Sequence, residues 1–162
     1  MSEIRKEKIL FVCLGNICRS PLAEFVVKGA AEKRGLNRFH FESAGTGSWH
    51  VGCSADPRAT AKASEYGLDM SQHRAQQITP HNVDNWDWFV AMDSANHSDL
   101  LRMGIPESRL LMMRQFEVDN AMIPDVPDPY YGGPDGFEDA YWMLVGNAEK
   151  FLDHLESQLT ES

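Results

Sequence analysis

A cysteine placed between a buried strand and a helix constrains this chain more than any other feature of its sequence. Residues 9–12 form an apolar run, Ile-Leu-Phe-Val, that is typical of a buried strand, and residues 21–34 carry a helical pattern. Cys13 therefore lies at the carboxyl end of a strand, in a loop that opens a helix. Successive backbone N–H groups in such a turn form a concave anion site, and the helix dipole adds positive potential there.

An anion site serves a thiol in two ways. It favours the ionised, nucleophilic thiolate, and it holds a phosphate-sized substrate against the sulfur. Arg19, six residues after the cysteine, can return its guanidinium towards the same point. A buried, unreactive cysteine is the alternative, but the loop composition favours a site. Gly15 permits a positive φ, Asn16 can brace the loop through its side chain, and Ser20-Pro21 is typical of a helix start.

Composition and charge set limits on the class of protein. The 162 residues suit one domain, 1–162, of which 43% are apolar and 24% charged. A net charge of −9 argues against binding to nucleic acid or to anionic membranes. No apolar run is long enough to span a bilayer, and the first residues lack the apolar region of a signal peptide. Three cysteines, an odd number, indicate a reducing compartment, so we expect a cytoplasmic protein.

Strand and helix patterns alternate along the chain. The strand patterns cover residues 9–12, 39–43, 88–92 and 109–112, and the helical patterns cover residues 21–34, 57–66, 94–103 and 137–159. This alternation predicts an α/β fold, a small doubly wound four-stranded parallel sheet flanked by helices. The phosphate-binding loop would follow the first strand, where the strand order reverses. Residues 122–134 contain four prolines and two glycines and are expected to form a loop.

Two motifs resemble those of a known enzyme family. Residues 13–21, Cys-Leu-Gly-Asn-Ile-Cys-Arg-Ser-Pro, resemble the phosphate-binding loop of the low-molecular-weight protein tyrosine phosphatases. Residues 128–131, Asp-Pro-Tyr-Tyr, resemble the general-acid loop of the same family. Asp128 stands between two prolines, which limit where its carboxyl group can point. Asp125 is a competitor for the role of acid, but it lacks the matching Pro-Tyr context.

The resemblance implies hydrolysis of protein phosphotyrosine through a phosphocysteine intermediate, with no metal and no cofactor. Cys13 would attack phosphorus, and Asp128 would protonate the leaving oxygen and then activate water. Arg19 and the backbone N–H groups would bind the equatorial oxygens. The implied phosphate-binding residues are Leu14, Gly15, Asn16, Ile17, Cys18 and Arg19. Inorganic phosphate, vanadate and similar oxyanions are expected inhibitors.

Four further residues match supporting positions of the family. Ser20 is expected to donate a hydrogen bond to the Cys13 sulfur, and Ser43 to brace the phosphate-binding loop as a hydrogen-bond partner. His73 is expected to help hold the loop, and a surface or otherwise satisfied histidine is the alternative. Asp93 matches another supporting position, although it can simply cap the helix that starts at residue 94.

Aromatic and apolar residues near the two motifs predict the substrate. Trp49 lies in a segment that resembles the family's specificity loop. Together with Tyr130 it could flank a flat ring, above an apolar floor of Leu14 and Ile17, and Tyr131 is assigned to the same ring-contact group. A deep slot favours phosphotyrosine over the shorter phosphoserine. The family implies that Tyr131 is a regulatory phosphorylation site, and hence that a cognate tyrosine kinase is a partner alongside tyrosine-phosphorylated proteins.

The cysteines other than Cys13 have different expected roles. Cys18 could form a disulfide with Cys13 on oxidation, which would protect the nucleophile from irreversible oxidation. A packed loop residue is the alternative for Cys18, and the family resemblance favours redox protection. A zinc site at these two cysteines lacks a second ligand pair at metal spacing. Cys53 has no assigned role.

Three rival functions remain open. An arsenate reductase on the same scaffold needs a pair of resolving cysteines in a later segment, and no cysteine follows Cys53. A protein-arginine phosphatase carries threonine where Ile17 stands here. An anion-binding module without turnover is the third possibility, and Asp128 argues against it.

Overall fold

The structure is a computed structural model that describes residues 6–117, 122–129 and 135–160. Four strands and four main helices alternate along this part of the chain. In chain order they are β1 (Glu7–Cys13), α1 (Arg19–Lys33), β2 (Phe39–Gly45), α2 (Pro57–Glu65), β3 (Trp88–Ala91), α3 (Ser94–Arg102), β4 (Leu110–Met112) and α4 (Gly136–Thr160). Short 3₁₀ turns occupy Val83–Asn85, Glu107–Arg109 and Gln115–Glu117.

The four strands form one parallel sheet in the order β2-β1-β3-β4. Within it, Ile9 of β1 lies between Phe41 of β2 and Trp88 of β3. The chain passes from β1 to one side for β2 and to the other side for β3. The strand order therefore reverses at β1, whose carboxyl end is the natural position of a ligand site. The predicted doubly wound α/β fold is confirmed.

The apolar run of β1 is explained by burial on both faces of the sheet. Ile9, Phe11 and Cys13 belong to a core cluster shared with α1 and α4. Leu10 and Val12 point the other way, into a cluster shared with α3 and β4. Because helices cover both faces, the strand shows a continuous apolar run instead of an alternation.

The boundaries differ from the predicted ones at a few residues. Helix α1 begins at Arg19, two residues before the predicted start, so Pro21 occupies its third position. Proline is tolerated there because the first four N–H groups of a helix have no partner within it. Arg109 belongs to a 3₁₀ turn and not to β4. Residues 122–128 form no helix or strand, as the prolines predict. Among the described residues, no helix combines the length and apolar character that a membrane span requires.

Candidate active site

The loop between β1 and α1 is built around one residue in the left-handed region, and that residue is Asn16. Its φ is 58°, a conformation that asparagine adopts more readily than most residues. The prediction that Gly15 supplies the positive φ is therefore wrong. Glycine at position 15 has a different explanation, since a Cβ there would lie 3.0 Å from Cδ2 of His50. The absent side chain leaves room for the histidine ring.

The Cys13 sulfur lies at the centre of this loop and is surrounded by hydrogen-bond donors. It is 2.9 Å from the Ser20 hydroxyl oxygen and accepts a hydrogen bond from the Asn16 N–H at 3.2 Å. The Asn16 side-chain amide donates to the Ser20 oxygen at 2.8 Å. Because that bond occupies a lone pair of Ser20, the hydroxyl proton is directed to the sulfur or to the Ala44 carbonyl, which lies at 3.3 Å. The sulfur thus lies within hydrogen-bonding distance of one backbone N–H group and one hydroxyl group.

Asn16 is itself held from behind the loop. Its side chain is fully buried and its Oδ1 accepts from the Gln76 N–H at 2.9 Å. Nε2 of His73 lies 2.9 Å from the Asn16 carbonyl oxygen, and His73 is buried. Of the two alternatives for His73, the structure thus has the histidine in contact with the loop.

The end of β2 braces the loop through its backbone. The N–H groups of Thr46 and Gly47 donate to the carbonyls of Cys13 and Leu14, each at 2.9 Å. Gly45 makes this approach possible, because a Cβ there would lie 2.6 Å from the Leu14 oxygen.

Ser43 does not make the contact predicted for it. Its hydroxyl donates to Glu24 of α1 at 2.7 Å, on the helix side of the strand. The bracing role falls instead to the three residues that follow Ala44. Ser43 pairs with Phe11 in the register and Gly45 pairs with Cys13, so the serine lies too early in β2 to reach the loop.

Arg19 returns to the loop and joins it to two distant segments. It is almost fully buried, and its Nη1 donates to Asp93 at 2.7 Å and to the Val126 carbonyl at 3.0 Å. Burial disfavours the cation, but the neighbouring Cys13 and Asp93 raise the pKa of Arg19 above its ordinary value. Asp93 also caps α3, since it accepts from the Asn96 N–H at 2.7 Å. Asp93 thus contacts Arg19 and also caps α3.

Asp128 lies at the mouth of the loop. Its Oδ2 is 3.8 Å from Nη2 of Arg19, and its side chain is about one-third exposed. The competing Asp125 has another partner, since its Oδ1 accepts from the Ser94 N–H at 2.9 Å. Asp125 also does not line the cavity over the Cys13 sulfur.

A cavity of about 400 Å³ opens over the Cys13 sulfur. The residues that line it come from the loop, from the segment after β2 and from the segment before α4: Cys13, Leu14, Gly15, Ile17, Cys18, Arg19, Trp49, His50 and Asp128. Trp49 stands at the rim and is 72% exposed. The four predicted supporting residues do not line the cavity. Two of them, Ser20 and Asp93, contact the lining residues Cys13 and Arg19, and His73 contacts Asn16 in the same loop. Tyr130 and Tyr131 lie outside the described residues.

Residues 8–161 match the family model described as low molecular weight phosphotyrosine protein phosphatase. The chain belongs to this family. The low molecular weight phosphotyrosine protein phosphatase of Schizosaccharomyces pombe is 43% identical over 148 residues, which cover 90% of this chain and 94% of that protein. The low molecular weight phosphotyrosine protein phosphatase 1 of Drosophila melanogaster is 40% identical over 150 residues, with the same coverage.

Solved structures agree with this assignment. A crystal structure of protein tyrosine phosphatase from Entamoeba histolytica, with Hepes in the active site, superposes with a TM-score of 0.85 at 35% identity. The superposition covers 94% of this chain and 99% of that one. The crystal structure of YfkJ from Bacillus subtilis gives a TM-score of 0.86 at 30% identity and covers 97% and 99%. The family predicted from the two motifs is confirmed.

Cys18 occupies a different environment from Cys13 in this low-molecular-weight phosphatase. It is buried at the start of α1, and its pKa is raised, first by burial and then by the neighbouring Asp56 and Cys13. Cys18 is therefore a neutral thiol at neutral pH. Asp56 secures the same part of the loop, because its N–H donates to the Ile17 carbonyl at 2.8 Å. Cys53 is exposed and does not line the cavity.

Sequence reasoning missed two groups of residues in the site. His50 lines the cavity beside Trp49, and its position next to a predicted ring-contact residue was the available signal. Gly45 and Gly47 were also missed as individual residues. A Cβ on Gly47 would collide with the Trp49 ring, so this glycine lets the tryptophan fold back against the chain. Among the described residues, no group of three or more His, Cys, Asp or Glu side chains is arranged to hold a metal ion.

Proposed function

We propose that this protein hydrolyses phosphotyrosine in proteins through a phosphocysteine intermediate, with Cys13 as nucleophile, Arg19 as phosphate ligand and Asp128 as general acid. One observation carries the proposal. The Cys13 sulfur accepts a hydrogen bond from the Asn16 N–H and lies beside the Ser20 hydroxyl. Cys13, Arg19 and Asp128 line the same cavity. A nucleophile, a cation and an acid thus converge where a phosphate group can enter.

The first step transfers the phosphoryl group to sulfur. The Cys13 thiolate attacks phosphorus in line with the leaving tyrosyl oxygen, so the S–P bond forms as the P–O bond breaks. Arg19 and the backbone N–H groups of residues 14–19 bind the three equatorial oxygens, over which the negative charge spreads. The Asp128 carboxylic acid gives its proton to the departing oxygen. The loop and Arg19 supply the positive charge of the site.

The second step releases phosphate. Asp128, now a carboxylate, takes a proton from a water molecule whose oxygen attacks phosphorus, and the S–P bond breaks. The sulfur leaves as a thiolate, which the Ser20 hydroxyl and the Asn16 N–H stabilise. Asn16 and His73 keep the loop in shape through both steps.

The lining of the cavity supports an aryl phosphate as substrate. Trp49 at the rim can contact the ring of phosphotyrosine, over a floor made by Leu14 and Ile17. Tyr130 is proposed as the second flanking ring. Phosphoserine is too short to reach the sulfur from this rim. Comparing phosphotyrosine, phosphoserine and phosphoarginine peptides tests this preference, and a preference for phosphoarginine would favour the arginine phosphatase.

The proposal extends to the setting of the enzyme. We place it in the cytoplasm as a single domain, 1–162, that acts on tyrosine-phosphorylated proteins and is inhibited by phosphate and vanadate. A cognate tyrosine kinase acting on Tyr131 belongs to the same proposal. The acidic chain, of net charge −9, is unsuited to nucleic acid and anionic membranes.

Redox control through Cys13 and Cys18 is a further part of the proposal. Both thiols line the same cavity, and peroxide would oxidise the more reactive Cys13 thiolate first. The resulting sulfenic acid would condense with the Cys18 thiol, losing water and forming a disulfide that a thiol reductant reverses. Peptide mapping after mild oxidation tests this, and irreversible sulfonic acid at Cys13 with Cys18 still reduced would contradict it.

The nucleophile is tested with a pair of cysteine variants. Cys13→Ser should abolish hydrolysis of p-nitrophenyl phosphate and still bind vanadate, since the anion site is largely backbone. Cys53→Ser, at an exposed position away from the cavity, should keep wild-type activity. The assays include a metal chelator, because the proposed chemistry needs no metal. Wild-type turnover in Cys13→Ser would overturn the proposal, and vanadate binding by a wild type without turnover would favour the anion-binding module.

A further inference from the structure

The segment that carries Asp128 needs anchors, because residues 122–128 form no helix or strand. The first anchor is Val126, whose side chain is fully buried. Its N–H donates to the Met92 carbonyl at 2.7 Å, and its carbonyl accepts from Arg19 at 3.0 Å. These contacts fix the backbone two residues before the acid. They do not fix the orientation of the backbone that precedes Val126.

A second anchor lies one residue earlier, outside the cavity. The Asp125 carboxylate accepts from the Ser94 N–H at 2.9 Å, at the start of α3. The Asp125 carbonyl accepts from Nη1 of Arg114 at 2.7 Å. The side chain and the backbone carbonyl of Asp125 are therefore both held by groups that do not line the cavity.

Arg114 is itself held in a fixed orientation. Its Nε and Nη2 donate to the two oxygens of Glu117 at 2.7 Å and 2.9 Å, which is a bidentate pair. Asn147 of α4 donates to the same Glu117 at 2.7 Å. The hydrogen bonds from Arg114 are the main reason that the pKa of Glu117 is lowered, against the effect of its partial burial. Because this pair fixes one edge of the planar guanidinium, the remaining Nη1 group has little freedom to move away from the Asp125 carbonyl.

We propose that Arg114 is a positioning residue for the general acid: it clamps the Asp125 carbonyl and thereby directs the chain that presents Asp128 to the leaving oxygen. The proposal rests on the role proposed above for Asp128. Lysine cannot replace the clamp, because an ammonium group is a point charge that cannot make the bidentate contact and the carbonyl contact in one plane. An acid displaced by about 1 Å loses much of its catalytic effect.

The test uses a series of aryl phosphates whose leaving groups differ in basicity. The measured quantity is kcat/KM, which reports the steps up to phosphoryl transfer. Arg114→Met should lower kcat/KM by about tenfold on phenyl phosphate and by less than threefold on p-nitrophenyl phosphate, which needs less protonation. Inhibition by vanadate should stay at the wild-type level, because Arg114 does not touch the phosphate-binding loop. Arg114→Lys should show the same selective loss and provides a second variant if the methionine variant does not fold.

Two reference variants separate the possible outcomes. Arg102→Met removes an exposed arginine of α3 that pairs with Asp99, and it should leave both activities unchanged. Asp128→Asn should show a larger version of the selective loss. If Asp128→Asn is selective but the Arg114 variants are not, the clamp alone is overturned. If Asp128→Asn loses activity equally on both substrates, Asp128 is not the general acid, and the positioning role proposed for Arg114 is overturned as well. Equal losses in the Arg114 variants, with lower thermal stability, would make Arg114 merely structural.

Discussion

Single residues decide whether this loop can hold a reactive sulfur. The anion site at the end of β1 could be predicted from the pattern of a strand, a cysteine loop and a helix. Which residue bears the left-handed backbone could not, because both Gly15 and Asn16 tolerate that conformation. Distant segments hold Asn16, because its Oδ1 accepts from the Gln76 N–H and its carbonyl lies beside His73, while the His50 ring takes the space beside Gly15. Close approaches of this kind depend on distant segments and leave no periodic signal in a sequence.

The leaving-group prediction concerns Asp128. Asp128→Asn removes the proton that neutralises the departing oxygen, so kcat/KM on phosphotyrosine should fall by ~10²–10⁴-fold. The deficit should be smaller on p-nitrophenyl phosphate, whose leaving group is a weaker base. Asp125→Asn is the matched control and keeps the Oδ1 acceptor for the Ser94 N–H, so it should retain most of the activity. A larger loss in Asp125→Asn than in Asp128→Asn would reverse the two assignments.

Gly45 gives a test of the backbone brace. The methyl group of Gly45→Ala would lie 2.6 Å from the Leu14 carbonyl, so the loop must shift. Because a shift of about 1 Å in a reacting group can cost up to ~10²-fold, we expect turnover to fall at least tenfold while the protein stays folded. Gly146→Ala in α4 is the control, since nothing lies within 4 Å of the added Cβ. That variant should keep full activity, and normal turnover in Gly45→Ala would show that the loop does not need this approach.

At the scale of elements, periodicity gave the number and kind of helices and strands. Their ends followed local contacts. Helix α1 begins two residues earlier than the predicted start at Pro21, because Cys18 is the N-cap that ends the loop. The loop is braced by the backbone N–H groups of Thr46 and Gly47 and not by Ser43. The register of β2 against β1 determines which residues of β2 reach the loop. The parallel sheet itself could be predicted, because βαβ connections leave few alternatives.

Arg34 tests the packing of α1 against α4. At the end of α1 its guanidinium contacts three carboxylates of α4, those of Glu149, Asp153 and Glu156, at 2.6 to 2.9 Å. Because Arg34 is partly exposed, we expect Arg34→Met to lower the free energy of unfolding by only about 1 kcal/mol. Turnover should not change, since the active site lies at the other end of α1, about 20 Å away along the helix axis.

Urea unfolding of Arg34→Met, with and without 1 M NaCl, measures this effect. Salt should shrink the difference from wild type, because it screens exposed charges. Arg102→Met, which breaks one exposed pair within α3, should cost about 0.3 kcal/mol. A loss of turnover in Arg34→Met would mean that α1 transmits its position to the phosphate-binding loop.

At the scale of the whole molecule, the cavity that contains Arg19 belongs to an acidic protein. The net charge is −9, yet the one buried arginine of the loop, Arg19, faces the cavity that must receive a phosphate dianion. The net negative charge of the protein therefore repels the phosphate at long range, and Arg19 attracts it only within the cavity. Such a field acts on the flanking residues of a peptide as well as on its phosphate, and it acts over a Debye length of about 10 Å at 0.1 M salt.

Ionic strength should consequently affect acidic and basic peptides in opposite directions. We expect kcat/KM for a phosphotyrosine peptide flanked by Asp and Glu to rise between 20 mM and 300 mM NaCl, because salt screens its repulsion. For a matched peptide flanked by Lys and Arg it should fall, because the same salt screens attraction. Taking the ratio of the two values removes any effect of salt on the enzyme itself. A ratio that stays constant across this range would mean that binding is governed by the phosphate and the ring alone, and that the acidic surface has no part in choosing the substrate.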